Sequence, residues 1–437
     1  YPRVLQPKMR LLLVVAELWS TSAVLTARNL RAGGLDDEPM TFEEFMTRYD
    51  RKYIPGTTEF IQRQALFETT RAQVMEQNRK ADSWKAEVNK FADWTETELA
   101  RLRGFKRQMR PSGGSPLQEG TVPTKLAAMQ MRAHPVPEMM SWKHLEAVKQ
   151  SRDQGACGSC WAFSANVAMR ARAELNGGLQ NFSVSQVVEC TPNPQHCGGA
   201  GRCDGATVEL AYEYVLKHGA KTEEEMPYPR LGEYSHQSSC PSDSQENDPS
   251  ATVGVFLTDG REAHLLDQEH TAQHMHGADI GMIGWSKLPE NQLLPIMEAL
   301  LEGPVAVAVV ASNNWNSYQA GIMSSKECDR DFIVNHAVTL IGYAPKYWQI
   351  KNSWGNSWGE NGNIRLQRIS DEENHCGWDK EPLVGVGCMG GPSQVKVCGS
   401  CGVLYDAVVP HFLPKDGVAN SALGEATFSG LVSFGGP

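Results

Sequence analysis

Two hydrophobic periods divide the chain. Over residues 41–100 the pattern is helical and amphipathic, and Glu59, Arg63, Phe67, Thr70, Val74 and Asn78, spaced 4, 4, 3, 4 and 4 apart, fall on one helical stripe. A stripe mixing Glu, Arg and Asn with Phe and Val is not the composition of an ordinary core face. Asn89, Phe91 and Asp93 then alternate as on a short strand. Residues 104–135 hold Gly, Pro, Ser and scattered bases (Lys106, Arg107, Arg110) with no sustained period, which predicts an exposed linker open to proteolysis. Residues 161–175 are apolar and Ala-rich and stop at Asn176-Gly177-Gly178, the signature of a helix and its end. Residues 305–310, 337–341 and 364–369 read as strands. Helices first and strands later predict an α+β class. Residues 241–287 are polar and irregular and read as an insertion, and residues 415–437 as a Gly/Ser/Ala-rich tail.

At 437 residues the prior is two or three domains. No run of 18 apolar residues argues for a membrane span. Met9-Arg10 followed by Leu11-Leu12-Leu13-Val14-Val15-Ala16 reads as the front of a secretory signal or short anchor within residues 1–35, although Glu17 interrupts it; a plain N-terminal extension is the alternative. The net charge of −10 argues against a nucleic-acid partner held by a basic face. That charge is unevenly spread: residues 1–135 carry a net +5 and the remainder −15. A basic front section can therefore dock on an acidic body, and acid would weaken the docking. Eleven cysteines point to an oxidising compartment, and the odd count leaves one thiol unpaired.

The densest chemistry lies in Gln154-Gly155-Ala156-Cys157-Gly158-Ser159-Cys160-Trp161-Ala162-Phe163, in Asn335-His336-Ala337-Val338, and in the run from Asn352-Ser353-Trp354-Gly355 to Gly362. A cysteine where a turn enters a helix faces the positive end of the helix dipole, and a nearby imidazolium further favours its thiolate. These three motifs, in this order, resemble the papain-like cysteine peptidases, the cathepsin L type among them. His336 and Asn352 lie 176 and 192 residues beyond Cys160, farther than the family's usual 130–150, and the 241–287 insertion supplies most of the excess.

The resemblance implies a two-lobed fold, a helical left lobe and an antiparallel β-barrel right lobe, preceded by a helical propeptide domain. It implies Cys160 as nucleophile, His336 as its proton partner, Asn352 orienting the imidazole, Trp354 shielding that bond, and Gln154 with the Cys160 N–H at the oxyanion. Gly158, Gly205, Ala206 and Trp354 would contact substrate, and Glu381, five residues past Cys376, would end the S2 pocket, giving a mixed apolar and Arg preference at P2. Glu59, Arg63, Phe67, Val74 and Asn78, with Asn89, Phe91 and Asp93, match the family's inhibitory propeptide, with Thr70 where Asn is usual and Val74 where Ile is usual. Such a propeptide runs backwards through the cleft until acid loosens it.

The implied domains are 36–100 for the propeptide, 101–135 for the processing linker, 136–377 for the peptidase and 378–414 for a Cys-containing extension. The implied disulfides are Cys157–Cys203, Cys190–Cys240 and Cys328–Cys376. Cys197, Cys388, Cys398 and Cys401 remain, as two further bridges in any of three ways, or as a redox or zinc set on Cys398/Cys401 with Cys388 and His411. His264, His270, His274 and His276 allow a metal site, a pH-sensitive lid or a plain polar loop. Asn181-Phe182-Ser183 is a glycosylation sequon. No cofactor is implied. The implied partners are peptide and protein substrates, the chain's own propeptide and cystatin-like inhibitors, for a monomer routed through the secretory pathway to an acidic compartment or outside the cell. An exopeptidase or peptide ligase on the same dyad, or a non-catalytic inhibitory protein, are the alternative readings.

Overall fold

The computed structural model describes residues 40–80, 82–104, 136–229, 240, 256–258, 261–265, 276–328 and 332–413. The candidate signal segment, residues 105–135, the tail 415–437, His270 and His274 lie outside them. Two compact units divide at Gln64. In the first, helix α1 (Phe42–Arg48) starts at a capping box in which Thr41 and Glu44 satisfy each other's backbone N–H groups. Phe42 is buried edge-on to Phe60, and Arg63 lies over the Tyr53 ring.

Helix α2 (Thr58–Arg79) carries the whole predicted stripe, and its later turns bury Phe67 and Val74. Asn78 ends the stripe by bonding both the N–H and the C=O of Ala86, acting as a substitute strand partner for β1 (Trp84–Ala86). Asn89–Asp93 is a turn, not the predicted strand: the Asn89 side chain accepts the N–H of Phe91, closing the chain locally before any ladder can form. A second capping box, Thr95 with Glu98, starts α3 (Glu96–Leu102).

The helical half follows β2 (Met140–Ser141) and α4 (Glu146–Lys149), and is built around α5 (Cys160–Leu175) with α6 (Val184–Cys190) and α7 (Val208–His218). Every α5 residue from Cys160 to Ala173 is buried, as its apolar composition requires, and Gly177 takes the positive φ that ends it. The strand half contains β3 (Phe256–Thr258), β4 (Arg261–Leu265), β5 (Met282–Lys287), helix α8 (Leu293–Glu302), β6 (Val305–Val309), β7 (Tyr318–Met323), β8 (His336–Ala344), β9 (Tyr347–Lys351), β10 (Asn363–Gln367) and β13 (Asp406–Phe412). They join in the order β1-β7-β10-β9-β8-β6-β13-β5-β4-β3, with β2 on β8, antiparallel except for β7 with β10. The hairpin β11 (Cys376–Asp379) with β12 (Val395–Cys398) stands apart.

Two boundaries shift. Residues 282–287, inside the expected insertion, form β5, whose core side chains include Met282 and Trp285. Residues 378–414 were expected as an extension, yet β13 sits between β6 and β5 in the middle of the sheet. Its first five residues are all buried, so it shows no alternation to mark it as a strand, and an irregular cysteine-rich stretch precedes it.

The bridges Cys157–Cys203 and Cys190–Cys240 form as expected. Cys328–Cys376 does not. Cys376 on β11 stands directly opposite Cys398 on β12 and bonds it across the hairpin, while Cys328 bonds Cys401. Cys197 bonds Cys388; with Cys398 and Cys401 bridged to other partners, they do not pair with each other and hold no free thiolate for zinc, and His411 bonds Ser286. Cys160 alone is free.

One buried ionic cluster joins the halves. Lys287 of β5 lies 3.2 Å from Asp406 of β13 and 3.5 Å from Glu209 of α7. Burial drives the Asp406 carboxyl up to about 7; at Glu209 burial also pushes upward, but the Lys287 ammonium together with hydrogen bonds from the Glu209 N–H and Thr207 brings the net shift down. Removing the cation would strand two carboxylates. Lys287→Met is expected to cost about 3–5 kcal/mol, read as a lower urea midpoint, with partial recovery when Asp406→Asn is added.

Candidate active site

Cys160 is the first residue of α5, so its sulfur meets the unsatisfied N–H groups of the helix start. The loop before it is pinned by Cys157–Cys203 and by Gly158 N–H donating to the Cys203 carbonyl at 2.9 Å. β8 brings the other partner, because His336 is its first residue and its register with β6 sets Val309 opposite His336. The Ala337 N–H points at the Cys160 sulfur, which places the thiol at the junction of the two halves.

His336 Nε2 is 2.8 Å from Asn352 Oδ1, and both residues are buried. The Trp354 ring lies 5.0 Å from the imidazole and is fully buried, so this bond is kept from water. That arrangement fixes Nε2 and leaves Nδ1 without a hydrogen-bond partner among the described residues. Gln154 is held by Ser353, whose hydroxyl donates to Oε1 at 2.6 Å, so that its Nε2 donates to the carbonyls of Cys157 and Leu102. The four predicted catalytic residues therefore converge.

Leu102 belongs to the front section, and the site is filled by it. The Gln154 amide holds the Leu102 carbonyl at 2.9 Å, in the place where a developing oxyanion would sit. Two residues on, a side chain on Gly104 would come within 3.2 Å of the Cys160 sulfur, and one on Gly205 within 1.9 Å of the Gly104 carbonyl. A side chain on Gly158 would likewise come within 2.7 Å of Gly104 Cα. At the opposite end, Phe91 packs edge-on to Trp354 at 5.6 Å, and the buried Asn89 amide donates to the Asn316 carbonyl. Asp93 is fully buried in the same turn, and Lys90 forms an ion pair with Asp153. Arg101–Gly104 is thus part of the blocked cleft rather than of the expected linker.

This cover sets the electrostatics. Burial pushes the Cys160 thiol up to about 11, against the pull of the Ala337, Trp161 and Cys160 N–H groups. Burial also pushes the His336 imidazole down to about 4; the Asn352 bond opposes this and the Arg103 guanidinium adds to it. Covered, the thiol and the imidazole are both held in their neutral forms.

Gly158 and Gly205 pack against Gly104, and Ala206 is buried. Glu381 does not close a pocket. It is exposed, between β11 and β12, because the offset of five residues was counted from Cys376, which is not the partner of Cys328. Counted from Cys401, the true partner, the same offset reaches Asp406 in the buried cluster with Lys287. The signal was present in Cys401-Gly402-Val403-Leu404-Tyr405-Asp406, an apolar run entering a strand. His276 is exposed beside Asp279, and the Asn181 amide of the sequon bonds Arg152.

The fold and site define a thiol-dependent hydrolase held closed by its own front section. The model of papain family cysteine proteases matches residues 136–386 and that of the cathepsin propeptide inhibitor domain residues 42–99, so the chain belongs to the papain family. It is a cysteine endopeptidase-type hydrolase with an inhibitory propeptide, in a two-lobed papain fold. It is 29% identical over 385 residues to the senescence-specific cysteine protease SAG39 of Oryza sativa subsp. japonica, covering 86% of this chain and 97% of that one. It is 30% identical over 346 residues to the cysteine protease Amb a 11.0101 of Ambrosia artemisiifolia, covering 77% and 78%. Among solved structures, digestive procathepsin L 3 of Tenebrio molitor larval midgut matches with a TM-score of 0.55 at 22% identity, over 85% of this chain and 97% of that one, a likeness of fold.

Because Gly104 has φ +69 and abuts the sulfur, a branched residue there is both strained and crowded. Gly104→Val is expected to speed alkylation of Cys160 in the uncleaved chain about tenfold or more, measured by mass spectrometry with iodoacetamide.

Proposed function

We propose that the mature enzyme cleaves peptide bonds by covalent catalysis on Cys160. The observation that carries this is the free thiol at the start of α5, with an Asn352-bound His336 and a Gln154 amide aimed at a carbonyl. His336 Nδ1 takes the thiol proton; the thiolate attacks the substrate carbonyl, and its oxygen is held by Gln154 Nε2 and the Cys160 N–H. The carbonyl re-forms as the C–N bond breaks, and His336 gives its proton to the leaving amine. Water, deprotonated by His336, then attacks the thioester and frees the acid and the thiol.

Acid releases the cover. The closed form holds His336 near 4, whereas an opened, solvated imidazole returns toward 6.5, so the closed form binds fewer protons. In an opened form whose Cys160 keeps its proton, closure is unpenalised above about pH 6.5 and is weakened progressively as pH falls toward 4. Loss of Arg103 with the propeptide removes a further positive charge from the imidazole. Five disulfides support passage through the secretory pathway, and the acid step supports an acidic compartment as the place of activation.

Incubation near pH 5 with an epoxysuccinyl-peptide thiol probe is expected to remove about the first 135 residues and leave one adduct at Cys160, read by intact mass and peptide mapping. A chain still unlabelled after trypsin has removed the propeptide would overturn the reading.

For P2, Asp406 stands where Glu381 was expected, but Lys287 neutralises it. The pocket therefore favours Leu, Phe or Val over Arg, and kcat/KM for P2-Leu is expected to exceed that for P2-Arg by about tenfold or more on matched fluorogenic peptides.

A further inference from the structure

We infer that residues 380–391, tied down by the Cys197–Cys388 disulfide, form a strap that closes the acyl end of the cleft. The strap limits how much substrate the enzyme can hold before the scissile bond. This rests on the peptidase reading above.

The direction of the cleft follows from the site. The leaving amine takes its proton from His336, whose ring lies against Trp354, so the leaving side of the substrate is the Trp354 side. The acyl side then runs toward Gly158, Gly205 and Ala206, where Gly104 of the propeptide lies. Two segments without helical or strand period meet at that end.

On the helical half, Gly198 packs so closely that a side chain would come within 2.7 Å of the Ala206 carbonyl, and Gly199 within 1.9 Å of that of Asp204. The Asn193 side chain fixes this loop by bonding the carbonyls of Cys197 and Gly199 and the N–H of Cys197. On the strand half, the Asp379 carboxylate accepts from the N–H groups of Val334 (3.2 Å) and Glu381 (2.9 Å). The chain then makes one turn at Pro382–Val384, and a side chain on Gly385 would lie 1.8 Å from the Val334 carbonyl, two residues before His336.

Within the next four residues the strap reaches the other half. Gly387 O accepts from Gly198 N–H at 3.0 Å, Cys388 bonds Cys197, and Met389 N–H donates to Gln195 O at 2.9 Å. Four peptide steps reach about 14 Å at most, so the walls are drawn together here to little more than the width of one extended chain. Leu383 and Met389 are exposed, so the crossing lies at the surface of the protein. An extended substrate passing Ala206 meets the strap and must end there or turn out of the cleft.

The test uses the acid-matured enzyme and acetylated fluorogenic peptides with one scissile bond and one leaving side, carrying two, four or six residues on the acyl side. The expected result is a fall in kcat/KM of about tenfold or more from the shortest to the longest. The double substitution Cys197→Ser with Cys388→Ser is expected to reduce that penalty. Should it not accumulate folded, Gly387→Pro with Met389→Pro, which distorts the strap and deletes the Met389 donor, serves in its place. A kcat/KM that stays level or rises with acyl-side length in the unmodified enzyme would overturn the strap. Failure to cleave even the shortest peptide, with no thiol label on Cys160, would overturn the peptidase reading and the strap with it.

Discussion

The seam between α5 and β8 is the constraint on which the active site depends. A thiol on a helix start and an imidazole on a strand start can cooperate only if the two elements are locked against each other. The Ser164 hydroxyl donates to the Val338 carbonyl at 2.6 Å, and the Thr339 hydroxyl donates back to the Ser164 carbonyl at 3.2 Å. Farther along α5, the buried Arg172 guanidinium donates to the carbonyls of Ala299, Gly303 and Pro304, tying the helix to the end of α8 and the entry to β6. Each bond is worth about 1 kcal/mol net, but each would leave a buried polar atom unpaired if the elements slid. Register at the seam is thus enforced more by the penalty for misplacement than by attraction. Cys160 and His336 inherit that register.

The same burial has opposite consequences in the two states of the chain. With Leu102 and Gly104 in the cleft, the thiol and the imidazole are both driven to their neutral forms, although helix start and N–H donors are already in place. The propeptide therefore inhibits in two ways. It places the Leu102 carbonyl on the Gln154 amide, and it withdraws the water that an ion pair needs. No rearrangement of the catalytic residues is required on activation, since Gln154, His336 and Asn352 already hold their partners.

The site was legible in the sequence because its chemistry constrains neighbours as well as reactive atoms. Gly158 must allow backbone within 2.7 Å, Cys157 must reach Cys203, and Ser353 must hold Gln154, so each reactive residue sits in a recognisable run. The α5 and β6 periods were legible for the same reason, being set by a core that contacts every face. What failed was counting across irregular chain. From Cys376 to Cys401 no sequence period fixes the register, and the four cysteines of that stretch offered several partners for Cys328. The choice of Cys376 as partner for Cys328 then displaced the pocket residue from Asp406 to Glu381 and hid β13 behind an apparent extension. The Asn89 turn was missed differently, since alternation of Asn, Phe and Asp satisfies a strand period while Asn itself favours a turn.

The two bridges around the cleft's acyl end hold segments that cannot hold themselves. From Glu381 to Pro392 only Pro382 and Gly385 are buried, so the strap has almost no apolar face to dock, and its backbone has no ladder. Cys376–Cys398 closes its base and Cys197–Cys388 fixes its far end, doing with covalent bonds what a core does for α5. The dependence is one-sided. The sheet and the α5 bundle bury their own apolar faces, whereas the strap has few such contacts besides its bridges. Reach along the acyl side is therefore set apart from the catalytic residues, by two short irregular segments joined by one disulfide and two backbone hydrogen bonds.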